Sequence, residues 1–272
     1  MLSNREVKQK PPMNKFLIID GLNLVRRIYA AIPDENDMDS LTERVSVACT
    51  KLLRIHHPTH VAIVWDGDEI SWRKQLYPDY KKGRKPMPEP LAAGLTALQE
   101  HLNSLQIQSI YAAAEADDVI ATLAMKTAKA QGEAIIVSTD KGFSQLNHPR
   151  ISQWDHFNQQ YLNIAELEQK LGVDRSQFLD LMALAGDSGN KIPGIAGIGP
   201  KSAAELLRTF RTLATLFSSL SNLGAKQAKK LAEGRDIARL SYKLAQLQTD
   251  LPLNINLKDF RVNSPIHTPP VD

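Results

Sequence analysis

Acidic residues follow three short apolar runs of the sequence and open a fourth segment. The runs "FLIID", "VAIVWD" and "AIIVSTD" each end in an aspartate, and "EADD" begins a helical pattern. The group comprises Asp20, Asp66, Glu115, Asp117, Asp118 and Asp140. Crowded carboxylates repel one another unless cations neutralise them, and oxygen ligands without a His or Cys companion favour Mg²⁺ or Mn²⁺ over zinc. One aspartate after a strand is commonly only a helix cap, but the group together predicts a site for hard divalent cations.

Between these acidic segments lies "RKQLYPDYKKGRK", in which six basic residues accompany one acid, Asp79. As an isolated charge run it is most simply a solvated loop. Beside a metal site it suggests phosphodiester hydrolysis, in which metal ions polarise the phosphate and lower the pKa of the attacking water. Lys81 and Arg84 would then add positive charge at the scissile phosphate.

A glycine-rich segment, "GNKIPGIAGIGPKSAAELL", precedes a helical pattern. The phosphate-loop pattern requires Lys and Ser directly after its last glycine, but Pro200 displaces Lys201 and Ser202 by one position, so an NTPase is disfavoured. A glycine turn between two helices is the simplest interpretation. The length of the match instead favours a helix-hairpin-helix, in which Gly197 and Gly199 let backbone amides approach DNA phosphates independently of base sequence.

The elements that position these residues can be predicted from the apolar pattern. The three runs are rich in branched residues and lack strict alternation, which is typical of strands buried on both faces of a parallel sheet. Helical patterns separate them: one opens with Ser40 and Glu43 in capping-box spacing, and another ends at Gly132 as its C′ glycine. We therefore expect an α/β domain with a mostly parallel central sheet flanked by helices, whose strand-end aspartates share one edge.

The pattern becomes helical from Asn163, which has capping-box spacing to Glu166. No clean linker separates the two parts, so the helical part is expected to pack directly on the α/β part. The predicted organisation is a disordered extension over 1–12, an α/β domain over 13–162 with a basic segment at 72–90, a helical DNA-binding region over 163–255, and a tail over 256–272.

Bulk composition narrows the class of protein. The apolar runs are far shorter than the ~18 residues that a membrane span requires, and the polar N-terminus lacks the apolar stretch of a secretory signal. The single cysteine, Cys49, excludes an internal disulfide. We expect a monomeric cytoplasmic protein. The net charge of +3 is too small to predict a nucleic-acid partner by itself.

Six motifs, taken in order, resemble the 5′ nuclease or flap endonuclease superfamily and its bacterial stand-alone branch: "IIDGLNL", "VWDGD", "WRKQLYPDYKKGR", "EADD", "STDKGFSQL" and "GIAGIGPKSA". The resemblance runs from Phe16 to about Leu251. It implies a PIN-like fold with a helix-hairpin-helix (H3TH) and hydrolysis of DNA at junctions between duplex and a 5′ single strand. It also implies Mg²⁺ bound by the acidic group, with Mn²⁺ as a substitute and Asp68 assisting through water.

The resemblance further implies three functional sets. The catalytic residues would be Lys81, Arg84 and Asp117. The DNA contacts would come from Arg73, Tyr80, Lys81, Arg84, Gly197, Gly199, Lys201 and Ser202, with Tyr80 either stacking on a base or packing internally. A K⁺ ion would be held by the main-chain oxygens of Leu184, Ala185, Pro193, Ile195 and Ile198.

The sequence departs from the family at its second metal cluster. Four acids are usual there, but the matching positions are Asp140, Gly142, Asp187 and Asn190. Half of the carboxylates are missing, so weaker binding of a second cation is expected. Lys141 is either an internal charge partner or a phosphate neighbour.

Three functions are compatible with these patterns. The first is a Mg²⁺-dependent flap endonuclease. The second is a structure-specific DNA-binding protein with weak or absent cleavage, because its second metal site is depleted. The third is a PIN-like ribonuclease, which the predicted hairpin and basic segment argue against.

Overall fold

The computed structural model describes residues 14–262. The predicted extension over 1–12 and the last part of the predicted tail lie outside this range. Within it, the strands are β1 (Lys15–Asp20), β2 (His60–Trp65), β3 (Gln108–Tyr111), β4 (Glu133–Val137), β5 (Ile151–Asp155) and β6 (Gln160–Tyr161). They form one sheet in the order β3-β2-β1-β4-β5-β6, parallel except for the antiparallel β6.

The centre of the sheet confirms the two-sided burial that the apolar runs predict. Every residue of β2 is buried, and β1 is buried from Phe16 onward. Strand β1 pairs with β2 on one side and with β4 on the other, so strand order reverses at β1. Ligands of open parallel sheets bind beyond the carboxyl ends of the strands at such a reversal, and Asp20 lies there.

Helices cover both faces of the sheet. They are α1 (Gly21–Tyr29), α2 (Met38–His56), α3 (Trp72–Leu76), α4 (Glu89–Ser104) and α5 (Ala116–Lys129). One apolar cluster packs α1, α2 and α4 on one face, and another packs α5 on the opposite face.

Two predicted helix ends are wrong by a few residues. Helix α2 is capped by Asp37, whose carboxylate accepts the Ser40 N–H at 2.9 Å, so Ser40 lies inside the helix. Helix α5 ends at Lys129, and Gln131 takes the left-handed conformation (φ 64°) expected for Gly132. The hydrogen bond from the Ser40 N–H to Asp37 marks the start of α2, and the left-handed backbone at Gln131 follows the end of α5. Helical periodicity predicts neither feature.

The second half of the described chain is helical. Its helices are α6 (Ile164–Leu171), α7 (Phe178–Ala185), α8 (Pro200–Phe210), α9 (Leu213–Ser218), α10 (Ala225–Glu233) and α11 (Arg235–Ala245). Asn163 caps α6 and accepts the Glu166 N–H, as predicted. These helices share an apolar core of their own. Among residues 14–262, no helix is long and apolar enough to cross a bilayer.

The chain after α11 returns to the α/β domain. Leu247, Leu251 and Leu253 pack against the apolar cluster that includes α5. The Thr122 hydroxyl donates to the Gln248 carbonyl at 3.3 Å. The helical region is therefore anchored directly on the sheet domain, as the absence of a linker predicts.

The end of α2 carries a histidine that should make stability depend on pH. His56 is 4% exposed, stacks edge-on against Trp154, and its Nδ1 lies 3.2 Å from the Tyr161 hydroxyl. Burial lowers the pKa of His56 from 6.5 to about 4. Because the unfolded chain then binds a proton that the folded chain does not, the contribution of His56 to stability is complete above pH 6.5 and is lost as pH falls toward 4.

We expect His56→Phe to reduce the acid sensitivity of folding. The slope of unfolding free energy against pH between 6.5 and 4.5 should fall by up to about 1.4 kcal/mol per pH unit. Urea unfolding at several pH values measures this slope. The control is His101→Gln, at an exposed position of α4. An unchanged slope in His56→Phe would contradict the assignment.

Candidate active site

Three aspartates at the carboxyl edge of the sheet are fixed by hydrogen bonds from main-chain N–H groups. Asp20 caps α1, with Oδ1 accepting the Asn23 N–H at 3.1 Å. Asp66 follows β2 and accepts the Ala116 N–H at 2.7 Å, which ties β2 to the start of α5. Asp140 follows β4 and caps the 3-10 helix Lys141–Gln145. Because β1, β2 and β4 are parallel, their carboxyl ends lie at the same edge of the sheet and place the three carboxylates along it.

Electrostatics connects these three carboxylates with Asp117 in the first turn of α5. Desolvation raises the pKa of Asp20 to about 7, and the charges of Asp66 and Asp140 add to the effect. Desolvation also raises the pKa of Asp117 well above its usual range, with Asp20, Asp140 and Asp66 contributing. The structure therefore brings four of the six predicted carboxylates into mutual repulsion.

Asp118 has a different environment. It is 4% exposed, and Arg73 binds it in a bidentate pair at 2.8 Å for both contacts. The Trp72 indole N–H donates to Oδ2 at 3.0 Å, and the Gln248 N–H donates to Oδ1 at 2.9 Å. These four donors fill the roughly four acceptor positions of a carboxylate. In this arrangement Asp118 has no acceptor position left for an ion, and its role as a metal ligand stays a prediction.

Arg73 is equally saturated. Besides Asp118, it donates to Glu115 at 2.5 Å, to the Leu244 carbonyl at 2.9 Å and to the Gln246 carbonyl at 2.7 Å. All five guanidinium N–H donors are engaged, and the residue is 2% exposed. The prediction that Arg73 contacts DNA is wrong, because its guanidinium is an internal counter-ion.

Glu115 lies between two cations. One carboxylate oxygen pairs with Arg73 and the other with the Lys81 ammonium, also at 2.5 Å. Burial opposes the charge on Glu115, but Lys81 and Arg73 outweigh it and lower its pKa. Burial likewise disfavours the Lys81 ammonium, but Glu115 and Asp117 help to raise its pKa. Glu115 therefore positions Lys81 beside the carboxylates, and its role as a metal ligand stays a prediction.

The four crowded aspartates suit a cation chemically. All are oxygen donors, and each repels its neighbours as long as no cation balances them. In residues 14–262, no three Asp, Glu, His or Cys side chains converge closely enough to hold one ion.

The basic segment contributes differently from what its sequence predicts. Tyr80 is 5% exposed and packs with Ile192 and Leu244. The prediction that Tyr80 stacks on a base is wrong, and the alternative of internal packing is confirmed.

Arg84 is exposed and, together with Lys81, lines a cavity of about 770 Å³. Asp66, Asp68 and Glu115 line the same cavity, so both predicted catalytic cations face carboxylates.

The predicted second cluster lines a separate cavity of about 390 Å³. Asp140, Gly142, Asp187 and Asn190 all lie on its wall, with Asp117. The Asn190 side-chain amide donates to Asp187 at 2.8 Å. The four positions therefore come together, although two of them lack a carboxylate.

The glycine-rich segment forms a hairpin between α7 and α8. Gly194 and Gly197 have positive φ angles of 63° and 73°. A side chain at Gly194 would meet the Gly186 nitrogen at 2.4 Å, so the hairpin requires glycine there. Gly199 caps α8, and Lys201 in its first turn is exposed. The DNA contacts predicted for this hairpin and for Ser202 stay predictions.

The main-chain oxygens predicted to hold K⁺ lie where α7 meets the hairpin. The Leu184 carbonyl accepts the Ile195 N–H at 2.8 Å, and the Ile195 carbonyl accepts the Ile198 N–H at 2.9 Å. Ala185 directly precedes Gly186 at the end of α7, and Pro193 directly precedes Gly194 in the hairpin. The K⁺ site stays a prediction.

Two residues of the site were missed in the sequence. The Ser138 hydroxyl donates to Asp20 at 2.8 Å and accepts the Asp140 N–H at 3.1 Å, linking two carboxylates. The side-chain amide of Gln153, on β5, donates to the Ser138 and Asp140 carbonyls at 2.8 and 2.7 Å. The position of Ser138 in "STD" was a usable signal. Gln153 lies in a segment without any motif.

Comparison with known proteins agrees with this architecture. Residues 15–172 match the 5′-3′ exonuclease N-terminal resolvase-like domain, and residues 173–268 match the 5′-3′ exonuclease C-terminal SAM fold. A protein of Shewanella sp. (strain MR-4) called flap endonuclease Xni is 96% identical over 256 residues, covering 94% of this chain and 98% of its own. The protein of that name from Shewanella putrefaciens is 89% identical over 258 residues, covering 95% and 98%.

Solved structures show the same fold at low identity. A zinc-bound T5 5′-exonuclease matches with a TM-score of 0.76 and 20% identity, over 87% of this chain and 90% of that one. The catalytic core of Rad2 in complex with DNA substrate matches with a TM-score of 0.57 and 17% identity, over 91% and 84%. With both domain families matched in order over residues 15–268, this protein belongs to the 5′-3′ exonuclease family.

Proposed function

We propose that this protein is a metal-dependent flap endonuclease that hydrolyses DNA phosphodiesters where a 5′ single strand leaves a duplex. The observation that carries the proposal is the crowding of Asp20, Asp66, Asp117 and Asp140 at the strand-order reversal of the sheet, with the Lys81 ammonium close to Asp117. The relatives called flap endonuclease Xni support the choice of substrate.

The four aspartates are the proposed ligands of Mg²⁺, with Mn²⁺ as a substitute. Bound there, such an ion would polarise the phosphodiester and lower the pKa of the attacking water. Without it, the carboxylates would repel a phosphate. Ser138 and Gln153 hold the Asp20 and Asp140 ends of the group in place.

Lys81 and Arg84 supply the cations for the scissile phosphate. Glu115 holds the Lys81 ammonium next to Asp117, so a phosphate entering the 770 Å³ cavity meets a positive charge that is already placed. Arg84 is exposed on the same wall and engages the phosphate or the single strand beyond it. Direct contact of these side chains with the reacting phosphate is the catalytic role proposed for them.

The hairpin between α7 and α8 is the proposed site for duplex DNA. Gly197 and Gly199 expose backbone at the N-terminus of α8, and Lys201 and Ser202 follow in its first turn. We include a K⁺ ion on the main-chain oxygens of the hairpin, which would attract a phosphate to the same place. Contacts of this type carry no base specificity, as cleavage at a junction requires.

We expect Lys201→Ala to weaken DNA binding and to lower its salt dependence. The slope of log K against log salt concentration should fall by about 1, because one fewer counterion is released. Fluorescence anisotropy with a labelled flap at several KCl concentrations measures this slope. The control is Lys129→Ala, at the far end of α5 from the carboxylates. An unchanged slope for Lys201→Ala would exclude the proposed hairpin contact.

The function is tested with a 5′-labelled flap substrate and Mg²⁺. Cleavage is expected within a few nucleotides of the junction, with little on blunt duplex of the same sequence. Tight binding without cleavage above that of an Asp117→Asn control would instead support a DNA-binding protein without nuclease activity. The Gly142 and Asn190 positions, which lack carboxylates, are the observation that favours this second candidate.

A further inference from the structure

Two side chains of the α/β domain hold residues 244–247, a segment that runs from the last turn of α11 into the extended chain after it. The first is Arg73, which donates to the Leu244 and Gln246 carbonyls at 2.9 and 2.7 Å. Because Arg73 also binds Glu115, and Glu115 binds Lys81, the segment is connected to Lys81 through partly buried, charge-assisted contacts.

The second side chain is Gln145, at the end of the 3-10 helix that Asp140 caps. Its amide donates to the Ala245 carbonyl at 3.1 Å, and its carbonyl accepts the Leu247 N–H at 2.8 Å. The same amide donates to the Gly142 carbonyl at 2.9 Å, and the Gly142 N–H binds Asp140 at 2.7 Å. Consecutive backbone groups of the segment are thus held alternately by Arg73 and Gln145.

Helix α11, in which the segment begins, contacts the predicted DNA-binding hairpin. Ser241, on α11, accepts the Gly194 N–H of the hairpin at 3.0 Å. The basic segment and the turn after β4 therefore meet at the backbone of residues 244–247, and the hairpin contacts α11 three residues before it.

We propose that Arg73 and Gln145 are positioning residues, which clamp residues 244–247 and thereby set the placement of Lys81 and of Asp140 across the site. The proposal rests on the proposed function for its kinetic consequences. Hydrogen bonds to backbone groups are directional, and a displacement of about 1 Å at a reacting group costs about 100-fold in rate. A clamp made of four such bonds restricts displacement of this kind.

A purely structural role for Arg73 predicts something different. If Arg73 only neutralised Asp118 and Glu115, a lysine would substitute for it once the protein is folded. A lysine keeps the charge but has three donors at one point, so it cannot bind both carboxylates and two carbonyls in the planar arrangement of a guanidinium.

The first test compares Arg73→Lys and Gln145→Met in steady-state cleavage of a flap. We expect kcat to fall about 100-fold for Arg73→Lys and about 10-fold for Gln145→Met, with KM and flap affinity in Ca²⁺ within about 2-fold of wild type. The matched control is Lys126→Met, which removes an exposed contact to the Leu251 carbonyl farther along the same chain and should leave kcat unchanged. Equal losses in kcat and affinity would overturn the proposal.

The second test is a double-mutant cycle with Lys81→Ala. If Arg73 acts by placing Lys81, then Arg73→Lys in the Lys81→Ala background should reduce kcat by no more than about 2-fold further. Full multiplication of the two losses would overturn the proposed route through Lys81.

A third measurement is independent of cleavage. Amide hydrogen exchange should accelerate at Lys81 in Arg73→Lys and at Gly142 in Gln145→Met, with no such change in Lys126→Met. The Lys81 N–H bonds to the Asn190 carbonyl at 2.9 Å, and the Gly142 N–H bonds to Asp140, so both amides report these placements. Unchanged exchange would overturn the clamp. Accelerated exchange in the variants, together with a wild-type protein that cleaves no flap, would retain the clamp and overturn the proposed function.

Discussion

Replacing Asp117 with asparagine is expected to reduce flap cleavage by about 1,000-fold or more, with little change in DNA affinity. Asp117 lies near Asp20, Asp66 and Asp140. Its carboxylate is buried, and the carboxylates of these three aspartates repel it. Asparagine keeps the shape and removes the charge that a divalent cation requires. The proposed duplex-binding site is the hairpin before α8, which this change does not touch.

The same substitution should raise thermal stability when divalent ions are absent. A neutral amide at this position would no longer repel the neighbouring carboxylates, so a source of strain in the folded protein is removed. Melting curves with and without Mg²⁺, together with single-turnover cleavage and anisotropy, measure all three effects. The control is Asp236→Asn, on the exposed face of α11. Cleavage within about tenfold of wild type would show that Asp117 is not a metal ligand.

The combined change Gly142→Asp and Asn190→Asp is expected to strengthen binding of a second divalent cation by about tenfold or more, because ligand charge sets the affinity of oxygen sites. Gly142, Asn190, Asp140 and Asp187 already share one cavity. A side-chain carbon at Gly142 would lie 3.1 Å from an Asp140 carboxylate oxygen, which leaves room with a small displacement. The Asn190 amide now bonds to Asp187, and a carboxylate would replace that bond with repulsion.

Stability and metal binding should therefore change in opposite directions. In EDTA the double variant should melt at a lower temperature than wild type, and Mg²⁺ should restore more of its stability than it does for wild type. Calorimetric Mg²⁺ titration measures the affinity directly. Gly142→Asn with Asn190 retained is the matched neutral control. Equal Mg²⁺ affinity in the double variant and this control would exclude this cavity as an ion site.

Much of the sheet could be predicted from the sequence because its strands are buried on both faces. Apolar runs without alternation have few other stable placements, and parallel strands bring their carboxyl ends to one edge. Asp20, Asp66 and Asp140 were therefore assigned to one site from the strand pattern. The ends of α2 and α5 were misplaced because an Asp37 side chain and a left-handed Gln131 ended them, and apolar periodicity is insensitive to both.

The sequence by itself determined which charges this protein carries and on which edge of the sheet its aspartates lie. Only the tertiary structure decided which of those charges remain available for chemistry. In their motifs, Arg73 and Asp118 resemble surface charges. A buried guanidinium needs acceptors for all its N–H groups, and Arg73 binds Asp118, 45 residues away, and the Leu244 carbonyl, 171 residues away. Tyr80 became part of the core because Ile192 and Leu244 cover it. Long-range contacts took Arg73 and Tyr80 away from their predicted DNA contacts and filled the acceptor positions of Asp118. They left Asp20, Asp66, Asp117, Asp140 and Lys81 as the centre of the proposed site.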